Sequence, residues 1–249
     1  MYKNYIFDLY GTLVDIRTNE YKRSLWSNMA KIYSMNGAYY KPSELNKAFS
    51  KYLDDQVKAI PKDKYTTTPE PQIEYVFQRL FTEKGVPCTL EAACAVGRTF
   101  RALSLQHIRL YKGVKELFQE IRSHGGKPYL LSNAQRIFTE PEIRMMGIYD
   151  EFEDVLISSD EGCAKPDIMF YKKILEKHGL DPKESIMIGN DYRTDIRGSY
   201  EAGLDSLYIH TAISPEIKGE LLAKYIIMSG DVFEVIETLF PDYKRPNKK

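Results

Sequence analysis

Apolar positions along the chain follow two rhythms. Short apolar runs recur at Lys3 to Asp8, Pro128 to Ser132, Asp154 to Ser158, Ser185 to Gly189, Ser206 to His210 and Tyr225 to Met228. Runs of this length, closed by turn formers, read as buried strands. Between them apolar residues fall at helical spacing: Val114, Leu117, Phe118 and Ile121; Pro141 to Met146; Ile168, Tyr171, Ile174 and Leu175; Ile196 and Tyr200; Val232, Val235, Ile236 and Leu239. Gly125-Gly126 and Gly179 stop two of these helices, and Asp231 caps the last. Regular alternation predicts a parallel sheet with helices on both faces.

From about Ile16 to Gln106 the strand rhythm disappears and only helical spacing remains. One stripe carries Leu25, Met29, Ile32 and Tyr33 and ends at Gly37; a second, after Ser43 as N-cap, carries Leu45, Phe49, Tyr52 and Leu53. A third, opened by Pro71 and closed by Gly85, carries Ile73, Val76, Phe77, Leu80 and Phe81. The fourth, after Thr89, carries Ala93, Val96, Phe100 and Leu103. Four amphipathic helices without a strand predict a small bundle. Pro61 to Thr68 is polar and reads as a loop. Trp26, Tyr33, Tyr39 and Tyr40 are expected to pack its core. The predicted organisation is an α/β core from residues 1–15 and 107–249, interrupted by an all-helical insert over 16–106.

The chain has 249 residues and equal totals of Lys+Arg and Asp+Glu, 35 each. A charge-balanced chain offers no basic face for nucleic acid or for a membrane surface. No apolar run approaches the roughly 20 residues needed to cross a bilayer, and the first strand begins at once, which leaves no signal peptide. Cys88, Cys94 and Cys163 form neither a disulfide framework nor a zinc pattern. They are expected to be reduced thiols in a cytoplasmic protein. The four histidines lack metal-ligand spacing.

Asp8, Ser132, Lys165 and Asp191 each fall at or just past a strand end. In a parallel sheet those ends share one edge, so four polar groups far apart in sequence meet in one site. Asp8 is then the candidate nucleophile, since a carboxylate splits a hydrolysis into two easier steps. Lys165 offers the positive charge that a phosphate dianion needs beside Asp8. Gly189-Asn190-Asp191-Tyr192-Arg193-Thr194-Asp195 offers oxygen donors suited to Mg²⁺. Ser132 and Asn133, with Thr12 and the Gly11 backbone, could donate to phosphoryl oxygens.

Taken in order, Phe7-Asp8-Leu9-Tyr10-Gly11-Thr12, Leu130-Leu131-Ser132-Asn133, Ala164-Lys165-Pro166-Asp167 and Ile188-Gly189-Asn190-Asp191 with Asp195 resemble the four motifs of the haloacid dehalogenase (HAD) superfamily. The resemblance extends to about Pro241. It implies a Rossmann-like core, with the helical insert as a cap. It implies Asp8 as nucleophile, Ser132 and Lys165 in their family roles, and Mg²⁺ held by Asp8, the backbone carbonyl of Tyr10 and the fourth motif. The metal residues there are Asn190, Asp191 and Asp195, and the direct ligand could be Asn190 or Asp191. The implied activity is a Mg²⁺-dependent phosphatase acting on a small phosphorylated metabolite through an aspartyl-phosphate.

One position departs from that pattern. Family phosphatases carry an Asp acid/base two residues after the nucleophile, and this chain carries Tyr10. A phenol near pKa 10 is a poor base at neutral pH. Haloacid dehalogenases of the superfamily carry Tyr there, and a halide leaves without a proton. The alternatives are thus a 2-haloacid dehalogenase-type hydrolase or a catalytically weak ligand-binding member. Retention of Asp191 and Asp195 favours the phosphatase. Substrate and oligomeric state are not legible.

Overall fold

A computed structural model describes residues 1–61 and 68–245. Most of the loop expected over Pro61 to Thr68 therefore lies outside the described residues. The core is a sheet of six parallel strands: β1 (Asn4–Phe7), β4 (Lys127–Ser132), β5 (Asp154–Ile157), β6 (Ser185–Gly189), β7 (Asp205–Ile209) and β8 (Tyr225–Ile227). Their spatial order is β5-β4-β1-β6-β7-β8. The chain leaves β1 toward one neighbour and later returns on the other side, so the carboxyl end of β1 is a topological switch point. This is the α/β Rossmann-like architecture expected from the sequence. No helix among the described residues is long and apolar enough to cross a membrane.

Strand alternation divides the core. Tyr5 and Phe7 face α5 (Val114–Ser123) and α10 (Val232–Leu239), packing with Phe118, Val235 and Ile236. Ile6 points the other way, with Leu131 and Met187, onto Phe170, Tyr171 and Ile174 of α8 (Ile168–His178). Burying each such side chain contributes roughly 1.5–3 kcal/mol. Phe7 pairs with Leu130 on one side and Ile188 on the other. That register brings the ends of β1, β4 and β6 level, and the residues that follow them come together at one edge.

The four helices expected in the first half are present: α1 (Arg23–Met35), α2 (Pro42–Ala59), α3 (Glu74–Thr82) and α4 (Leu90–Ser104). They share a cluster built on Trp26, Tyr33, Phe49, Phe77 and Phe100. Tyr40 is buried there as well, whereas Tyr39 lies exposed. The cluster also takes in Ile137 and Phe138 of α6 (Arg136–Met145) from the α/β part. Gly97 permits that approach, because a Cβ there would lie 2.6 Å from Ile137 Cδ1 and 2.9 Å from the Phe77 ring.

Three local expectations are corrected. The insert is joined by an antiparallel ribbon, β2 (Val14–Thr18) with β3 (Leu105–Leu110), where no strand was expected; most of β3 is exposed or half-buried, so it lacks a buried strand's apolar run. Ser43 is not the cap of α2: the helix opens at Pro42, and the Glu44 carboxylate accepts from the Lys41 backbone N–H. Helix α6 begins at Arg136 and runs through Pro141 rather than starting there. The Ser158 hydroxyl accepts from the Ala134 N–H at 2.8 Å and that of Ser159 from the Arg136 N–H at 3.0 Å. At the start of α7 (Ser158–Glu161), Ser159 thus serves the helix's first open donor, while Ser158 holds the chain that leads into it. By contrast, Asp231 caps its helix as expected, and Thr89, after which α4 begins, caps that one.

A second strap ties insert to core. Pro69 bridges to Cys163, Ala164 N–H donates to Thr68 O at 2.9 Å and Glu70 N–H to Gly162 O at 3.2 Å. The Glu70 carboxylate accepts from Gln135 Nε2 at 2.5 Å. Burial pushes the Glu70 carboxyl up to about 7, against the lowering effect of that hydrogen bond. A folded-state value above the unfolded one means the folded protein holds the extra proton. Glu70 therefore costs nothing below the unfolded value and destabilises the fold as pH rises through about 7. Glu70→Gln should be isostable with wild type near pH 4 and gain roughly 1–3 kcal/mol at pH 8. Urea melts at the two pH values check this, and a gain independent of pH would contradict it.

Candidate active site

The residues singled out in the sequence converge at the β1, β4 and β6 ends. Asp8 follows β1 and is 8% exposed. Lys165 enters from the loop before α8, and its ammonium is fully enclosed. Lys165 Nζ donates to Asp8 Oδ1 at 2.8 Å and to Asp195 Oδ1 at 2.7 Å. Burial alone would lower the Lys165 pKa, but the charges of Asp195 and Asp8 outweigh it and hold the group protonated. Burial pushes the Asp195 carboxyl up to about 6, opposed by Lys165 and reinforced by Asp8.

Asp195 is also anchored by backbone. Its Oδ2 accepts from the N–H groups of Asn190 at 3.0 Å and Asp191 at 2.9 Å. Gly189 is required beneath it, since a Cβ there would fall 2.4 Å from that same oxygen. Lys165 is held through its main chain: its N–H donates to Asn133 Oδ1 at 2.7 Å, and Asn133 Nδ2 donates to its carbonyl at 2.8 Å. Asn133 thus spends its amide on placing Lys165.

The fourth motif divides its work among its residues, Asp191 first. Its carboxylate caps the following turn and pairs with Arg193, whose Nη2 donates at 2.9 Å. Burial would raise the Asp191 pKa, but the Arg193 hydrogen bonds bring it below the usual carboxylate range. Asn190 is the residue brought to Asp8. The Thr12 hydroxyl lies 3.1 Å from Asp8 Oδ2 and 3.3 Å from Asn190 Oδ1, so three oxygens meet. Asn190 Nδ2 is turned outward to Ser214 Oγ at 3.2 Å. Ser132 lies at the end of β4, fully buried, and its hydroxyl has no hydrogen-bond partner among the described residues.

Tyr10 turns its hydroxyl away from this group, toward α6. It donates to Glu142 and lies 3.1 Å from Thr139 Oγ1. Burial raises the Tyr10 pKa, and the Glu142 charge raises it further. A phenol so placed stays protonated and is not a base at neutral pH.

A family model for haloacid dehalogenase-like hydrolases matches residues 2–203. The chain belongs to that family. Relatives of this HAD-like hydrolase include a glyceraldehyde 3-phosphate phosphatase of Pyrococcus furiosus, 24% identical over 234 residues, 93% of this chain and 91% of the relative. A second, from Methanothermobacter thermautotrophicus, is 24% identical over 116 residues, 47% of this chain. The hydrolase thus spans about half of that relative, 51% of its length. Among solved structures, the 2-haloacid dehalogenase of Pseudomonas syringae pv. Tomato superposes with a TM-score of 0.67 at 18% identity, covering 96% of this chain and 98% of that one. At that identity the likeness establishes the fold.

Two residues of the hydrolase's site escaped the sequence reading. Glu142 and Arg101, which pair beside Tyr10, belong to stripes that look like ordinary helix faces. Only the helical phase of Glu142, one turn after Phe138 and Thr139, could have pointed to it. Gly11 has a plain constraint: its φ is +91°, and a Cβ would sit 2.3 Å from Asn190 Nδ2. Gly11→Ala should cost about 2 kcal/mol or more through strain and overpacking, and should displace Asn190 from Thr12. Denaturant melts would test the first effect, and a crystal structure of the variant with Asn190 unmoved would refute the second.

Proposed function

We propose that the chain is a Mg²⁺-dependent phosphatase acting on a small phosphorylated metabolite, with Asp8 as nucleophile. The convergence of Asp8, Thr12 and Asn190 oxygens carries the reading. Lys165 brings one positive charge to Asp8 and Asp195 together, leaving a net negative site. A phosphate dianion cannot enter it without a further cation. Mg²⁺ takes oxygen ligands, uses one or two protein carboxylates and accepts substrate phosphate and water for the rest. Asp8 and the Asn190 amide oxygen fit that donor set, with the Tyr10 carbonyl as the third ligand implied by the family pattern. Asp191 and Asp195 act from behind, by capping the turn and by holding Lys165. When bound, the ion would neutralise charge on the transferring phosphoryl group.

In this reading Asp8 attacks phosphorus, the ester bond breaks, and the leaving alkoxide takes its proton from solvent water. A water molecule then attacks the phosphorus of the aspartyl-phosphate, giving its protons to solvent, releasing inorganic phosphate and restoring the Asp8 carboxylate. Ser132 Oγ and Lys165 Nζ donate to the phosphoryl oxygens, which gives the unpartnered Ser132 hydroxyl its acceptor. Residues 1–15 and 107–249 serve as the core, and 16–106 as a cap that limits access. The phosphatase names of the relatives support this assignment. The dehalogenase reading rests on Tyr10: with its hydroxyl committed to Glu142, no acid stands ready for an alkoxide, and a halide needs none.

Hydrolysis of p-nitrophenyl phosphate should rise with Mg²⁺ and fall to background in Asp8→Asn, which keeps the volume but lacks the nucleophile. Halide release from 2-chloropropionate without metal, with no phosphatase activity, would transfer the assignment to the dehalogenase. A further expectation follows from Tyr10. General acid/base catalysis is worth about 10²–10⁴-fold, so opening of the phospho-aspartate should be slow. Rapid acid quench should therefore trap phosphorylated wild-type protein in the steady state. Absence of any trapped species under turnover would show that this step is not limiting.

A further inference from the structure

Between the insert and the sheet edge lies a cavity of about 420 Å³. Tyr10, Asn133, Gln135 and Thr139 border it on the sheet side, Ile73 and Arg101 on the insert side. Tyr10 and Asn133 adjoin Asp8 and Ser132 in sequence, so this is the space into which the leaving alcohol of a substrate would extend. Arg101 is the only cationic side chain lining it among the described residues.

Arg101 is held with unusual firmness. Its Nε donates to Glu142 Oε1 at 2.6 Å and its Nη2 to Glu142 Oε2 at 3.3 Å. Its guanidinium carbon lies 5.6 Å from the Tyr10 ring centre and 5.4 Å from that of Phe138. The carboxylate occupies only the Nε–Nη2 edge of the fork. Arginine has five N–H donors, and Nη1 makes no hydrogen bond to a described residue. Glu142 and Arg101 both line a groove on α6 with Arg98, Pro141 and Met145, but of the two only Arg101 also borders the cavity. The guanidinium thus reaches the cavity with donors to spare.

We propose that Arg101 is a specificity-determining residue that selects phosphate esters whose leaving alcohol carries a carboxylate. The proposal rests on the phosphatase reading above. A planar fork fixed on one edge is preorganised to take a second carboxylate on the other, with little rotamer entropy left to lose. Lysine would present a point charge on a flexible stem there, without the fixed second edge of a planar fork. The cavity's own anion, Glu20, lies on exposed chain after β2, which leaves the buried end cationic and the mouth anionic. That polarity suits a short carboxylate tail and disfavours a long polyanion.

Phosphoglycolate and ethyl phosphate differ only in carboxylate against methyl at the end of the alcohol, so their ratio of kcat/KM isolates the tail. Wild type should prefer phosphoglycolate by roughly ten- to a hundredfold, the range of one hydrogen bond to a charged group. Arg101→Met should collapse that ratio toward one, mainly through the KM for phosphoglycolate. Removing Arg101 leaves Glu142 buried without its partner, so Arg101→Met with Glu142→Gln repeats the test in a chain without an uncompensated charge. A merely structural role would lower both esters alike and preserve the ratio; that result overturns the proposal, as does a wild type that turns over both esters equally or takes p-nitrophenyl phosphate alone. If no phosphate ester is hydrolysed, the phosphatase reading itself fails and this one falls with it, an outcome distinct from unselective turnover.

Discussion

The ammonium of Lys165, shared between Asp8 and Asp195, is the interaction on which the site depends. Burying an ion costs several kcal/mol even after relaxation, and the cost is recovered only where geometry and extra hydrogen bonds are good. Here three ions are enclosed together, and each is served from more than one side. Asp195 takes two backbone N–H groups as well as Lys165. Lys165 is fixed at both its ends, by the Asn133 amide on the main chain and by two carboxylates on the side chain. Gly189 exists to make room for this, since any side chain there would overlap the Asp195 carboxylate. The order of dependence runs from glycine to aspartate to lysine to nucleophile.

The same logic extends into the helical insert. It is fastened along α6 by Ile137 and Phe138, by the close approach at Gly97 and by the strap through Glu70 and Gln135. Gln135 also accepts from the Ile73 N–H, so a single side chain just past the β4 end holds the start of α3. Groups that shape the cavity and groups that fasten the insert are thus neighbours on one helix. Substitutions that loosen the insert will reach the cavity through α6.

Much of this was legible beforehand, for physical reasons. Buried parallel strands announce themselves as apolar runs, and the sheet's register then forces Asp8, Ser132 and Asn190 to one edge. The cap at Asp231 is local chemistry and was readable as such. What failed was whatever depended on partners distant in sequence. Helix α6 looked shorter because Pro141 is a natural start, and nothing local reveals that Ser159, more than twenty residues on, takes the first N–H of the true one. The ribbon β2–β3 escaped because one of its strands has little buried surface to leave a pattern. The choice between Asn190 and Asp191 was open in the sequence, because nothing local shows that Arg193, two residues on, pairs with the Asp191 carboxylate.

Tyr10 is where sequence and structure together say more than either does alone. The sequence marks it as a departure, a phenol where a carboxylate acid/base is expected. The structure adds that a carboxylate does stand next to it, Glu142, at the Tyr10 hydroxyl and bound to Arg101. An ionised phenol there would face Glu142 directly, so the Tyr10 proton is retained. The substitution thus converts a chemical position into a structural one: Tyr10 becomes a wall of the cavity and joins the motif-one loop to α6. Its partner Glu142 in turn orients the Arg101 guanidinium, which lines the same cavity. Phenol, carboxylate and guanidinium thus form one connected group at the junction of the insert and the sheet edge, so a change in any one of them is felt by the other two.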